Sequence, residues 1–143
     1  MKTSFPKPAK GQWYIVNADG LILGRLGTRI ATVLRGRHRA TFVPHWASGD
    51  HVIVINAEKI KVTGDKVEQK KYYRHAGYLG HLRQTTLKRM LEKTPEKALE
   101  LAVKGMLPKN LTRQHTMKQL HVFAGPVHDH IAQNPVPLPL SCL

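Results

Sequence analysis

Few of the residues in this chain that could do chemistry stand close enough to one another to do it. His128 and His130 flank Asp129 in a spacing that can begin a metal site, yet no matching Cys or His pair accompanies them. The lone thiol, Cys142, sits one residue from the end, and His115 and His121 lie six apart, a spacing with no recognised ligand geometry. The nine acids are scattered, no G-x-S-x-G elbow is present, and Gly24-Arg25-Leu26-Gly27 is neither G-x-G-x-x-G nor a Gly-Lys-Ser/Thr loop. No catalytic residue, metal or cofactor is expected from these patterns.

Cations are a different matter. Lys and Arg number 23 against 9 Asp and Glu, a formal charge of +14, while hydrophobic residues still make up 41% of the chain. That balance describes a folded basic protein whose field attracts polyanions. The cations are spread along the sequence rather than gathered beside an apolar anchor, which favours nucleic acid over a membrane surface. No run approaches the roughly 18 apolar residues of a membrane span, and no signal peptide is read. With one cysteine, no intrachain disulfide can form, and a reducing compartment fits best.

Three stretches concentrate the charge. Arg25, Arg29 and Arg35 fall off the apolar face of a helix that runs into Gly36-Arg37-His38-Arg39. Lys66, Lys70, Lys71, Tyr73, Arg74 and His75, with Tyr72 and Tyr78, mix cations that suit phosphate with rings that can stack on splayed bases. The third stretch runs from Lys104 through Lys109, Arg113, His115 and Lys118 with no acid among them. In the tail, His128 and His130 are better suited to RNA contact than to a metal. The competing structural reading is a solvated helix face for the arginines and a core position for Tyr72 or Tyr73.

The elements that must hold these stretches follow from periodicity. Trp13 to Val16 is short, aromatic and β-branched, and ends at an Asp19-Gly20 turn signal. Leu26, Ile30, Val33 and Leu34 recur at helical spacing, with Gly36 as C-terminal cap. Val52 to Ile55 is an unbroken β-branched run, as expected of a strand covered on both faces in a parallel sheet. Strand, helix and strand form a βαβ unit. A further short strand is expected at Ile60-Lys61-Val62, and a short helix around Leu87, Met90 and Leu91. Thr94, Pro95 and Glu96 open a second helix that buries Leu99, Ala102, Val103 and Met106 and stops at Gly105 to Pro108. Next come a basic loop and a strand at Val122 and Phe123. Residues 1–12 read as an N-terminal arm, 13–125 as one α/β domain, and 126–143 as an extended proline-rich tail.

In order and spacing, these motifs resemble the L13 family of large-subunit ribosomal proteins, bacterial and organellar type. The resemblance rests on Trp13-Tyr14 with Asp19-Gly20, Leu23-Gly24-Arg25-Leu26, Leu34 to His38, Pro44-His45, and Gly49-Asp50 before the apolar strand to Asn56-Ala57. It continues through Val62-Thr63-Gly64, Lys71-Tyr72-Tyr73 with His75 and Gly77, Ala102 to Lys109, Leu120 to Gly125, and His128-x-His130-x-Ala132-Gln133-x-Pro135. It implies a three-layer α/β/α domain on a mainly parallel sheet, with basic loops and extended arms. It also implies a non-enzymatic role: binding large-subunit ribosomal RNA, beside neighbouring ribosomal proteins, early in subunit assembly. No small-molecule substrate is implied. Arg35 to Arg39, Tyr73 to His75 and Gly105 to Lys109 match RNA-facing parts of the family.

The chain departs from the usual bacterial pattern at Leu111 to Met117, where Arg113 alone carries over, and at Gly80-His81. Asn110-Leu111 resembles mitochondrial members, so a bacterial cytoplasmic and an organellar ribosome both stay open. A free nucleic-acid-binding regulator is the alternative, disfavoured by the lack of a helix-turn-helix, RNP aromatic signature or zinc finger.

Overall fold

The computed structural model describes residues 11–46 and 49–138, so most of the N-terminal arm, the end of the proline-rich tail and Cys142 lie outside the described residues. Strand β1 (Trp13–Asn17) leads through helix α1 (Leu23–Leu34) to strand β2 (His51–Ile55). A short helix α2 (Lys66–Gln69) precedes a hairpin of β3 (Lys71–His75) and β4 (Leu82–Thr86). Helices α3 (Leu87–Lys93), α4 (Pro95–Met106) and α5 (Thr112–Met117) follow, then β5 (Leu120–Val122) and β6 (Val136–Pro137).

The main sheet has the order β5-β2-β1-β6 and every pairing in it is parallel. With two neighbours, β2 must be apolar on both faces, and Val52, Ile53 and Val54 are fully buried. Register sorts the faces. Tyr14 sits opposite Val52 and Val16 opposite Val54, and these residues, with Leu120, share one cluster with Leu26, Ile30 and Leu34 of α1 and Leu99 and Val103 of α4. The alternate residues Trp13, Ile15, His51 and His121 face the other way. The result is an α/β fold, a parallel sheet with flanking helices, as the βαβ pattern requires.

Helix α1 buries the apolar stripe expected of it and ends on a left-handed Gly36, φ 74°. The Gly36 N–H donates to the Val33 carbonyl at 2.8 Å and the Arg37 N–H to the Thr32 carbonyl at 3.1 Å. This paired closure satisfies carbonyls that a helix end otherwise leaves open. Helix α4 begins at Pro95 after Thr94, although the Thr94 side chain makes no capping bond.

Several expectations are corrected. Ile60-Lys61-Val62 forms no strand: a 3-10 turn occupies Ala57–Lys59 and Lys61 makes an isolated parallel bridge to Ile22. Two alternating apolar residues with no strand alongside them do not extend a ladder. The basic loop after Lys109 is interrupted by α5, which buries Thr116. Met106 is 42% exposed rather than core, though its sulfur lies 3.8 Å from the Thr28 hydroxyl. Neither Tyr72 nor Tyr73 joins the core, for both belong to the hairpin: Tyr72 is half-buried and Tyr73 is 63% exposed.

Candidate nucleic-acid interface

The basic segment after α1 is held by one carboxylate. Asp50 is fully buried and accepts a hydrogen bond from the Gln12 backbone N–H at 2.7 Å. It also accepts from Arg39, through Nε to Oδ2 at 3.2 Å and through Nη2 to Oδ1, and His38 Nε2 lies 2.9 Å from the same Oδ2. A buried carboxylate needs such partners, because an unpaired one would keep its full desolvation penalty. Gly49 allows the approach: a Cβ there would stand 1.6 Å from the Leu34 carbonyl oxygen. The strand that begins at His51 is thereby tied to the end of α1.

This divides the expected RNA-binding cations of the segment. Arg39 and His38 are engaged with Asp50, whereas Arg37 is exposed and Arg35 lies with its guanidinium carbon 5.7 Å from the Phe42 ring centre. Among the described residues, acids pair with cations only at Asp50 and, more loosely, between Asp19 and Lys59 at 3.8 Å. The positive field is therefore left largely uncompensated.

Folding brings distant cations together. Arg35, Phe42 and Trp46 line one cleft with Pro108, Asn110 and Arg113. Arg113 also lines a neighbouring groove with Lys104 and Lys118, where Glu100 is the one acid. Arg113 thus joins the segment after α1 to the end of α4 and to α5; exposed Lys109 lies on the connection between these helices. A third groove sets Lys66 and Lys70 beside Gly24, Gly105 and Met106. Arg25 and Arg29 are exposed on α1, on the side away from its buried stripe.

Two groups lie apart from that surface. Lys71, Tyr73, Arg74 and His75 form β3 and are all exposed on the hairpin. His128 and His130 are half-buried against the sheet face opposite α1 and α4. There His130 stands 4.4 Å from His121 and 5.2 Å from Trp13, and Trp13 stacks on His51 at 4.2 Å. Burial lowers the pKa of both His51 and His121 below the ordinary 6.5, and His130 lowers both further; Asp50 opposes the shift at His51. Neutral rings suit that stack. The histidine pair in the tail is thus built into ring packing.

Sequence reasoning missed Asp50 as an organiser, because a single acid in a loop carries no periodic signal. It also missed Arg83, which faces Arg74 across the hairpin. Among the described residues no group of three or more His, Cys, Asp or Glu could hold a metal ion, and no helix is long and apolar enough to cross a membrane.

The sequence pattern of the family described as ribosomal protein L13 matches residues 11–129. The chain is 56% identical over 142 residues to large ribosomal subunit protein uL13 of Lawsonia intracellularis, covering 98% of this chain and 99% of that protein. It is 52% identical to the protein of the same name from Nitrosococcus oceani, over 93% of this chain and 94% of that one. For the Nitratidesulfovibrio vulgaris protein the figures are 51% identity and 99% of each chain.

Proposed function

The chain belongs to the ribosomal protein L13 family, and from that premise we propose that it is a structural constituent of the large ribosomal subunit that binds large-subunit ribosomal RNA early in assembly. Its role is architectural rather than enzymatic. The relatives above are bacterial, which favours a cytoplasmic bacterial ribosome over an organellar one. The observation that carries the reading is the position of Arg113, which lines both the Arg35 cleft and the Lys104–Lys118 groove. Cations from three separate elements meet there, so phosphates of different RNA segments can be neutralised side by side.

In this reading Arg25, Arg29, Arg35, Arg37, Lys66, Lys70, Lys104, Lys109, Arg113 and Lys118 contact backbone phosphate. His38 and Arg39 shape the segment that presents Arg37. His128 and His130 anchor the tail, and Lys71 to His75 reach outward on the hairpin. Residues 1–12 and 126–143 act as arms toward neighbouring RNA or ribosomal proteins, around a domain of residues 13–125.

The test is gradient sedimentation of a cell lysate in low and moderate salt, with this protein followed by mass spectrometry. Comigration with the large subunit in both salts is expected. A protein that stayed at the top of both gradients would defeat the reading and favour a free nucleic-acid-binding regulator.

A further inference from the structure

The β3–β4 hairpin carries more exposed apolar surface and more unpaired charge than a solvated ribbon needs. Its register sets Arg74 directly opposite Arg83. Like charges at such a cross-strand position repel. Neither arginine makes an ion pair among the described residues. From Gln69 to Leu91 the sequence contains no acid at all, so nothing local relieves the repulsion.

The connection between the strands is equally unusual. Leu79 is fully exposed and Tyr78 is 74% exposed, with the Tyr78 and His81 rings 5.9 Å apart. Leu82, just beyond, is 59% exposed. A hairpin that only had to stay soluble would carry polar residues at these positions.

We propose that this hairpin is a finger for non-duplex RNA: Arg74 and Arg83 share a backbone phosphate, while Tyr78 and Leu79 at the tip receive an unstacked base. The inference rests on the ribosomal-RNA reading above and assigns it a specific element and a specific RNA form. An anion between the arginines turns their repulsion into attraction. A flat, exposed ring beside an apolar side chain suits the face of a base that has left its stack. Duplex RNA presents phosphates but no free base faces, so it satisfies half of the finger. The uniformly positive charge of the hairpin selects a polyanion over the apolar pocket of a neighbouring protein.

The experiment uses the full chain and an in vitro transcript of the large-subunit ribosomal RNA. Tyr78→Ala is expected to weaken binding about 5- to 100-fold with the salt slope unchanged, and Tyr78→Trp to restore it. Arg83→Ala should lower the salt slope by about one phosphate contact while leaving the melting temperature of the free protein unchanged or raised. A merely structural arginine would lower it. In a Cys142→Ser background, an iron chelate on Leu79→Cys should cleave the RNA at unpaired nucleotides when the protein is assembled into large subunits. Wild-type affinity in both the Tyr78→Ala and Arg83→Ala variants, cleavage confined to duplex, or cutting of a neighbouring protein alone would overturn the finger and leave the ribosomal reading intact. If the wild-type chain neither bound the transcript nor entered the subunit, that reading would fail first.

Discussion

Arg39 closes on Asp50 from the far side of the loop that follows α1, through Nε at 3.2 Å and through Nη2, with the carboxylate wholly removed from solvent. Asp50 is therefore an acid in the service of a basic surface. The two roles an acid could have there differ in sign. If Asp50 only offset positive charge, Asp50→Asn would tighten RNA binding. If it holds the Arg35 to Arg39 segment in shape, the same change loosens binding even though net charge rises by one. We expect the loosening, with stability lower by on the order of 3 kcal/mol, since Arg39 loses its charged partner. Filter binding over a salt series, at a temperature where both proteins are folded, reads the sign directly.

Gly49→Ala isolates the same junction without touching charge. The added methyl would lie 1.6 Å from the Leu34 carbonyl oxygen, a backbone atom that can move only with the end of α1. Overpacking of this kind costs roughly 1–3 kcal/mol or more. Urea denaturation should show that loss, and a midpoint equal to wild type would mean that the loop and α1 do not approach as described.

Arg37 and Arg39 are two residues apart and should behave oppositely. Arg37 is exposed, so Arg37→Ala is expected to reduce the slope of log affinity against log salt by about 0.9 with little change in melting temperature. Arg39→Ala leaves Asp50 with fewer donors and should cost stability before it costs phosphate contacts. Swapped outcomes would mean that Arg39 is the phosphate ligand and Arg37 the structural residue.

The parts of the fold legible in the sequence are those whose burial imposes a period. Leu26, Ile30 and Leu34 declare one helical face, and Val52, Ile53 and Val54 an unbroken buried strand; each lies where its spacing places it. The hairpin was not legible because little of it is covered: Lys71, Tyr73, Arg74 and His75 are all exposed and Tyr72 is only half-buried, so no apolar alternation marks the strands. Ile60 and Val62 alternate as a strand would, but only Lys61 finds a bridging partner, at Ile22. Within the candidate interface the cations were legible by type. Their grouping was not: Arg35 and Arg113 are brought to one cleft by packing between α1 and α4, which no local spacing records.

Val54 tests the sheet itself. It is fully buried in the central strand, opposite Val16 on one side and Val122 on the other. Val54→Asp would place a carboxylate there with no donor prepared for it, a cost of several kcal/mol and comparable to the whole stability of a small domain. Loss of cooperative unfolding and of soluble expression is expected. A variant that folded normally and bound RNA more weakly would contradict the central position of β2.

The ring stack on the opposite face sets a pH dependence whose sign can be worked out. His51 and His121 have folded pKa values below 6.5, first because of burial, with His130 adding to the shift at both sites. Asp50, itself engaged by Arg39 and His38, offsets part of the effect at His51. Well above pH 6.5 both rings are neutral whether the chain is folded or not, and they contribute no pH dependence. Below that value the unfolded chain takes up protons that the folded one resists, so stability falls with pH until the folded values are passed. Urea midpoints should therefore be flat from about pH 8 to 7 and decline toward about pH 5. Replacing both residues by Phe keeps rings beside Trp13 and should remove much of the decline. An equally steep decline in the double variant would assign the acid sensitivity to groups other than these two rings.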